Sequence, residues 1–335
     1  MTLRSVLLGS ALAAVAIPAL ADEVNVYTTR QAFLIEPVVE AFTEATGITV
    51  NLSYIESGLV ERLTAEGERS PADLVLTVDI ANLQQIVDAD VLQPIDNDVL
   101  KAAVPEHLRS PDDLWYALTT RARVVYAHKD RVAEGEVTTY EDLADEKWRG
   151  RICTRPGVHN YNLALLAAVI AHHGEEAARD WAEGLKANLA RKPEGNDRQQ
   201  VRAVWAGECD IALANTYYMG AMLADDEQRA WAESARIVFP TFEDGGTHLN
   251  VSGVAMTKAA PNHDAAIQFL EYMVSPEAQA IYAELNHEYP VLEGAARSEL
   301  VASWGEPAFD THDLTEIARN RAAALRIMEE VDFDG

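Results

Sequence analysis

The chain has little cysteine, few basic residues and, past its first two dozen positions, no long apolar run. Its two cysteines in 335 residues exclude a disulfide-scaffolded miniature fold, and Cys153 and Cys209 lie too far apart in sequence for a C-x-x-C redox or zinc motif. Lys and Arg number 27 against 54 Asp and Glu, a formal net charge of −27. A surface of that sign repels phosphate backbones, which excludes nucleic acid as a partner. No G-x-S-x-G elbow, H-E-x-x-H helix or phosphate-cradling glycine loop occurs. Asp88, Asp90, Asp96 and Asp98 do not form a calcium loop, because Leu92 takes the third ligand position and the following glycine is missing. Without a positioned acid/base set, the chain is not expected to be an enzyme. Nor does it contain an internal repeat, a linker or a low-complexity tract.

What is present begins with an export leader. "MTLRSVLLGSALAAVAIPALADEV" has Arg4, an apolar stretch from Val6 to Leu20, and the small-x-small ending Ala19-Leu20-Ala21. That layout predicts a secretory signal peptide over residues 1–21 and a soluble, periplasmic mature chain from Asp22. A hydrophobic content of 48% with 24% charged residues is that of a globular protein, and the length suits about two domains.

Short apolar strands alternate with amphipathic helices along the chain. "EVNVYTT", "ITVNLSYI" and "ADLVLTVD" read as strands, separated by the helical "LIEPVVEAFTEATG" and "SGLVERLTAEG". A βαβαβ rhythm implies a doubly wound, mostly parallel sheet. A second set starts at "GRICTRPG" and continues through the long helix "YNLALLAAVIAHHG" to "DIALANTYY". The extended stretches near residues 116–127 and 236–256 read as crossings between two lobes with a hinge. The predicted division is lobe one over 22–119 plus 250–295, lobe two over 120–249, and C-terminal helices over 296–335 packing near the junction. Cys153 and Cys209 each open a core strand of lobe two. Paired in an oxidising compartment they staple neighbouring strands; unpaired they are two buried thiols. The pair of histidines His172-His173 precedes Gly174 and reads as a helix cap rather than a metal site.

The stretch "ALANTYYMG" sets Tyr217 beside Tyr218 just after a buried strand. Adjacent strand residues point to opposite faces, so both serve one site only if the strand has ended by about Asn215. Ligands of open α/β sheets lie beyond the carboxyl ends of strands, where Arg30, Asp79, Tyr161 and this tyrosine pair all fall. From the residues alone, the two rings either stack on an organic ligand or offer phenolate oxygens to a hard cation.

"SPADLVLTVDIANL", "LRSPDDLWYALTTRARVVYAHK", "NYNLALLAAVIAHHGEEAARDWAEGL", "PEGNDRQQVRAVWAGECDIALANTYYMG", "THLNVSGVAMTKAAPN" and "EYPVLEG" together resemble the periplasmic ferric-ion-binding proteins of ABC importers, in order and over essentially the whole mature chain. The resemblance implies a two-lobed α/β fold of the periplasmic-binding-protein type that captures iron, most often Fe(III), as a monomer and hands it to an inner-membrane ABC permease. It implies Tyr217 and Tyr218 as iron ligands and Tyr161 in "HNYN" as a third. A trivalent ion can hold phenols deprotonated near neutrality despite their usual pKa of about 10. The alternative keeps the fold and binds a small organic cation such as thiamine or a polyamine.

The chain also departs from that family. Members often carry a ligating His or His-Tyr after the arginine that follows the first strand, where this chain has Gln31 and Ala32; some use a glutamate after the third strand, where Val78 stands with Asp79 next. Lobe one is therefore expected to offer no strong protein ligand, leaving room for a carbonate-like anion or water. Arg30 and Arg121, with Arg123 as a substitute, are the cations expected to hold that anion through their planar forks. Gln31, Asp79, His159 and Asn215 are expected to support the site from behind.

Overall fold

Strands that must be covered on both faces carry apolar side chains on both faces. Val24, Val26 and Tyr27 are buried in the first strand, and Leu74, Val75 and Leu76 follow one another without exposure in the third, the pattern of a sheet sandwiched between helices. The computed structural model describes residues 22–335; the leader read over residues 1–21 lies outside the described residues. The strands are β1 (Glu23–Thr28), β2 (Thr49–Tyr54), β3 (Leu74–Thr77), β4 (Leu92–Gln93), β5 (Trp115–His128), β6 (Ile152–Cys153), β7 (Ile211–Asn215), β8 (Ala235–Val238), β9 (Leu249–Thr257) and β10 (Tyr289–Pro290).

The βαβαβ start is built as its pattern dictates. β1 pairs in parallel with β2 and β3, and the helix Ala32–Thr46 makes the first crossover. That helix stops where Gly47 takes a left-handed conformation, φ 77°, and returns its N–H to the Thr43 carbonyl at 2.8 Å. The remaining pairing differs from two separate parallel sheets. The order β2-β1-β3-β9-β5-β7-β6 is one mixed sheet in which β9 and β5 enter antiparallel. The cause is the length of β5: its 14 residues reach about 46 Å at ~3.3 Å per residue. Trp115 to Ala122 lie along β9, and Arg123 to Ala127 lie along β7. One strand thus carries the hydrogen-bonding edge from one lobe into the other.

The C-terminal helices pack on two earlier helices. Leu314–Arg319 packs on both Asn160–Ala187 and Ile80–Asp88, and Arg321–Glu330 lies along Asn160–Ala187. The long helix breaks at Gly174, φ 81° and ψ 168°. His172 and His173 do not cap it through carbonyls. His172 bridges Asp244 and Asp310 at 2.8 and 2.9 Å, and His173 meets Glu141 at 2.6 Å. Cys153 and Cys209 are bonded, with Cα atoms 5.9 Å apart. The bond ties β6 to the approach of its parallel neighbour β7. Among the described residues no helix is long and apolar enough to cross a membrane.

Candidate functional site

β7 ends at Asn215, and Tyr217 already has helical torsions, φ −62° and ψ −20°, as the cap of the helix Tyr218–Leu223. Consecutive residues there are separated by about 100° instead of a strand's half-turn. Both rings therefore look into one cleft, with centroids 4.3 Å apart. Tyr161 joins them from the first turn of Asn160–Ala187. His159 caps that turn, its Nδ1 accepting the Tyr161 N–H at 3.2 Å while its ring packs edge-on to the phenol at 4.7 Å. Burial, with Arg155 adding, pushes the His159 pKa down to about 4, so its imidazole is neutral and free to accept. The Tyr161 and Tyr217 hydroxyls stand 3.2 Å apart. Burial first, and the neighbouring phenols next, push the Tyr217 pKa well above its ordinary value, and burial raises Tyr218 to about 12. These are protonated phenols that a polyvalent cation would have to deprotonate.

Behind the tyrosines lies a buried polar knot. Asp197, fully inaccessible, accepts from Arg123 at 2.6 Å and Arg155 at 3.2 Å. Arg123 also donates to Asn215 at 3.1 Å and Asn162 at 2.8 Å. Arg123, expected as a substitute anion holder, instead donates one terminal nitrogen to Asp197 and the other to Asn162, behind the tyrosines. Asn215 faces the knot rather than the cleft. Asp79 is likewise spent, its oxygens taken by the Ala81 N–H at 2.8 Å and the Asn250 amide at 2.9 Å at the start of a helix.

Arg30 and Arg121 do line the cleft, and each is only 2% exposed. Arg30 pairs with Glu288 and bonds Ser252, while Arg121 donates to the same Ser252 Oγ at 3.3 Å. Burial works against the Arg30 guanidinium, and Glu288 with Tyr282 more than offsets it, so its pKa stands above the usual arginine value. Arg30 Nε and Arg121 Nη2 are buried without a hydrogen-bond partner, donors that an acceptor brought by a ligand would satisfy.

The cleft measures about 560 Å³, and Gln31, Phe33, Val78, Arg198, His287 and Glu288 complete much of its wall. Sequence reasoning passed over Glu288, His287 and Ser252. "EYPVLEG" contains that glutamate, but an isolated acidic residue in a chain this acidic gives no signal; only the backbone path that folds 288 against Arg30 does. Among the described residues no group of three or more His, Cys, Asp or Glu side chains is placed to hold a metal ion. The cleft gathers phenols instead.

Residues 38–309 match the family model described as bacterial extracellular solute-binding protein. The chain is 44% identical to iron uptake protein A1 of Synechocystis sp. over 93% of this chain and 88% of the relative. It superposes on the apo ferric ion-binding protein A of Pasteurella haemolytica with a TM-score of 0.88 and 49% identity, covering 94% of this chain and 99% of that one. It is also similar to a Trichodesmium protein solved in complex with iron and citrate ligands, with a TM-score of 0.88 and 40% identity over 93% and 99% of the two chains.

Proposed function

Because the chain belongs to the bacterial extracellular solute-binding proteins, we propose that it captures ferric iron in the periplasm through Tyr161, Tyr217 and Tyr218 and delivers it to an inner-membrane ABC permease. The observation that carries this reading is the convergence of three phenols, two of them with hydroxyls 3.2 Å apart, beside two buried guanidiniums that each keep one nitrogen without a hydrogen-bond partner. Hard trivalent cations prefer oxygen donors, and three phenolates would cancel the charge of ferric iron. The relatives bearing iron in their names support the same cargo.

Three tyrosines leave positions open around a six-coordinate ion, and an exogenous anion or water fills them. Arg121, with no carboxylate partner in contact, and Arg30 are the groups that would hold such an anion, in keeping with Gln31 standing where an anionic donor is absent. A small organic cation is the weaker reading. Its charge would meet Arg30, Arg121 and Arg198 in the same cleft, against the one carboxylate of Glu288.

Protein purified without chelator tests the proposal. Metal analysis should give one iron per chain with a visible phenolate-to-iron charge-transfer band. A colourless protein that stays metal-free when offered ferric iron would overturn it.

A further inference from the structure

The turn that presents Tyr161 is held from outside by the last residues of the chain. Tyr161 is the second residue of the helix Asn160–Ala187, and residues 155–159 lead into it. Two neighbours of its ring belong to that lead. The Arg155 guanidinium carbon stands 4.9 Å from the ring centroid, and His159 packs edge-on. The phenol therefore goes where this segment goes. Asn162 fastens the segment from within, donating to the Arg155 and Pro156 carbonyls at 2.9 and 3.2 Å. Asp334 fastens it from without. Its two oxygens accept the Gly157 N–H at 2.6 Å and the Val158 N–H at 3.4 Å. Gly157 permits the approach, because a Cβ there would fall 2.5 Å from Phe333 Cδ1. Phe333 is buried and returns its N–H to the Met328 carbonyl at 3.0 Å, so the tail continues from the helix Arg321–Glu330. Arg321, at the other end of that helix, donates to Asn160 Oδ1 at 3.0 Å. One C-terminal element thus grips the approach to Tyr161 at two points.

We propose that Asp334 is a positioning residue for the iron site, acting through Tyr161. This deepens the reading of Tyr161 as an iron ligand and rests on it. Tyr217 and Tyr218 ride on a different element, the end of β7 and the helix Tyr218–Leu223. The three phenol oxygens converge only while residues 155–159 are fixed relative to that element. A carboxylate accepting backbone N–H groups makes strong, charge-assisted bonds, and a metal site loses affinity when the groups that orient its ligands are removed. Asp334 is not among the residues that wall the cleft, so it touches no cargo. Its loss frees Tyr161 to depart from the other two phenols while every ligand and cleft arginine stays in the chain.

The test is a double-mutant cycle read by ferric affinity, measured in competition with a chelator. With Tyr161 present, Asp334→Ala should weaken binding about tenfold and diminish the charge-transfer band, with the melting temperature nearly unchanged. Asp334→Asn keeps one acceptor oxygen and should recover part of the loss; it also carries the comparison should Asp334→Ala not fold. Asp332→Asn makes the same charge change two residues away and should leave affinity as it was. In a Tyr161→Phe background the ligand oxygen is already gone, so Asp334→Ala should change affinity by less than about twofold. Equal losses in both backgrounds would make Asp334 a general brace and overturn the proposal. So would undiminished affinity in a folded Asp334→Ala protein. The iron-free chain gives a separate readout: the Gly157 and Val158 amides should exchange about tenfold faster in Asp334→Ala than in the unaltered protein. Unchanged exchange overturns the proposal whatever the cargo. Faster exchange in a protein whose unaltered form takes up no iron would defeat the iron reading and leave Asp334 positioning Tyr161 for another cargo.

Discussion

Tyr217 is the residue on which the proposed chemistry leans hardest, because burial holds its pKa well above the ordinary value and its hydroxyl already meets that of Tyr161 at 3.2 Å. Replacing Tyr217 or Tyr218 by Phe keeps the ring in place and removes only the donor oxygen. Ferric affinity should fall on the order of 100-fold or more for each, about 3 kcal/mol on the usual conversion. The melting temperature should hardly move, and competition with a chelator of known strength checks the first figure. The raised phenol pKa values fix the sign of the pH dependence. Ligand-free Tyr217 and Tyr218 hold their protons at neutral pH, binding must release them, and affinity should rise with pH. A pH-stat titration should record about three protons released per ferric ion, and a release near zero would take the phenols out of the site. Arg121→Lys keeps the charge but loses the fork, so loading in bicarbonate should weaken less than in Arg121→Ala yet not match the original. At this scale the turn of Tyr217 and Tyr218 into one cleft was legible from the strand ending at Asn215, while their reading as iron ligands, with Tyr161, came from the family resemblance. Glu288 and Ser252 were not, for their meaning comes from meeting Arg30, 258 and 222 residues away in sequence.

The elements show where local reading holds and where it stops. Helices such as Ala32–Thr46, with its glycine stop, follow from periodicity and capping that the local sequence carries. The parallel trio β2-β1-β3 follows from crossover connections. The insertion of β9 between β3 and β5 does not follow, because pairing Leu74 with Met256 or Trp115 with Ala255 is decided by contacts far apart in sequence. An apolar strand buried on both faces reads the same whether parallel or antiparallel. The one covalent tie between elements gives a prediction of its own. The Cys153–Cys209 bond closes a chain segment with a separation of 56 residues around the start of the tyrosine strand. Its loss should cost about 2–4 kcal/mol, mostly by freeing the unfolded chain. Thiol titration of the unfolded, unreduced protein should find no free thiol. Urea unfolding of a Cys153→Ser/Cys209→Ser protein should show an earlier midpoint with iron affinity retained. Two titratable thiols would contradict the bond.

Across the whole molecule the two-lobed design was legible from the paired crossings, but a close contact across the cleft was not. His287 follows the helix Pro276–Asn286 with left-handed torsions, φ 52° and ψ 32°, a conformation that few non-glycine residues adopt. It presents its ring to Gly220 of the tyrosine helix. A Cβ built on Gly220 would lie 2.0 Å from His287 Cδ2, so the glycine is there for closeness and not for torsion. The ring of His287, next in sequence to Glu288, which pairs with Arg30, thus reaches from the far wall of the cleft to the helix that carries Tyr218. Gly220→Ala leaves the phenols and arginines untouched but blocks the seat, so it should separate capture from closure. The Tyr–iron band should still form, small-angle scattering should show little compaction on loading, and iron should leave about tenfold faster, since the cargo now biases an equilibrium it can no longer complete. His287→Ala in the Gly220→Ala background opens the space again and should restore compaction, though without the ring the closed state is held less firmly than in the original. If Gly220→Ala compacts and retains iron as the unaltered chain does, the His287–Gly220 contact is incidental, and closure must be carried by Glu288 and the arginines alone.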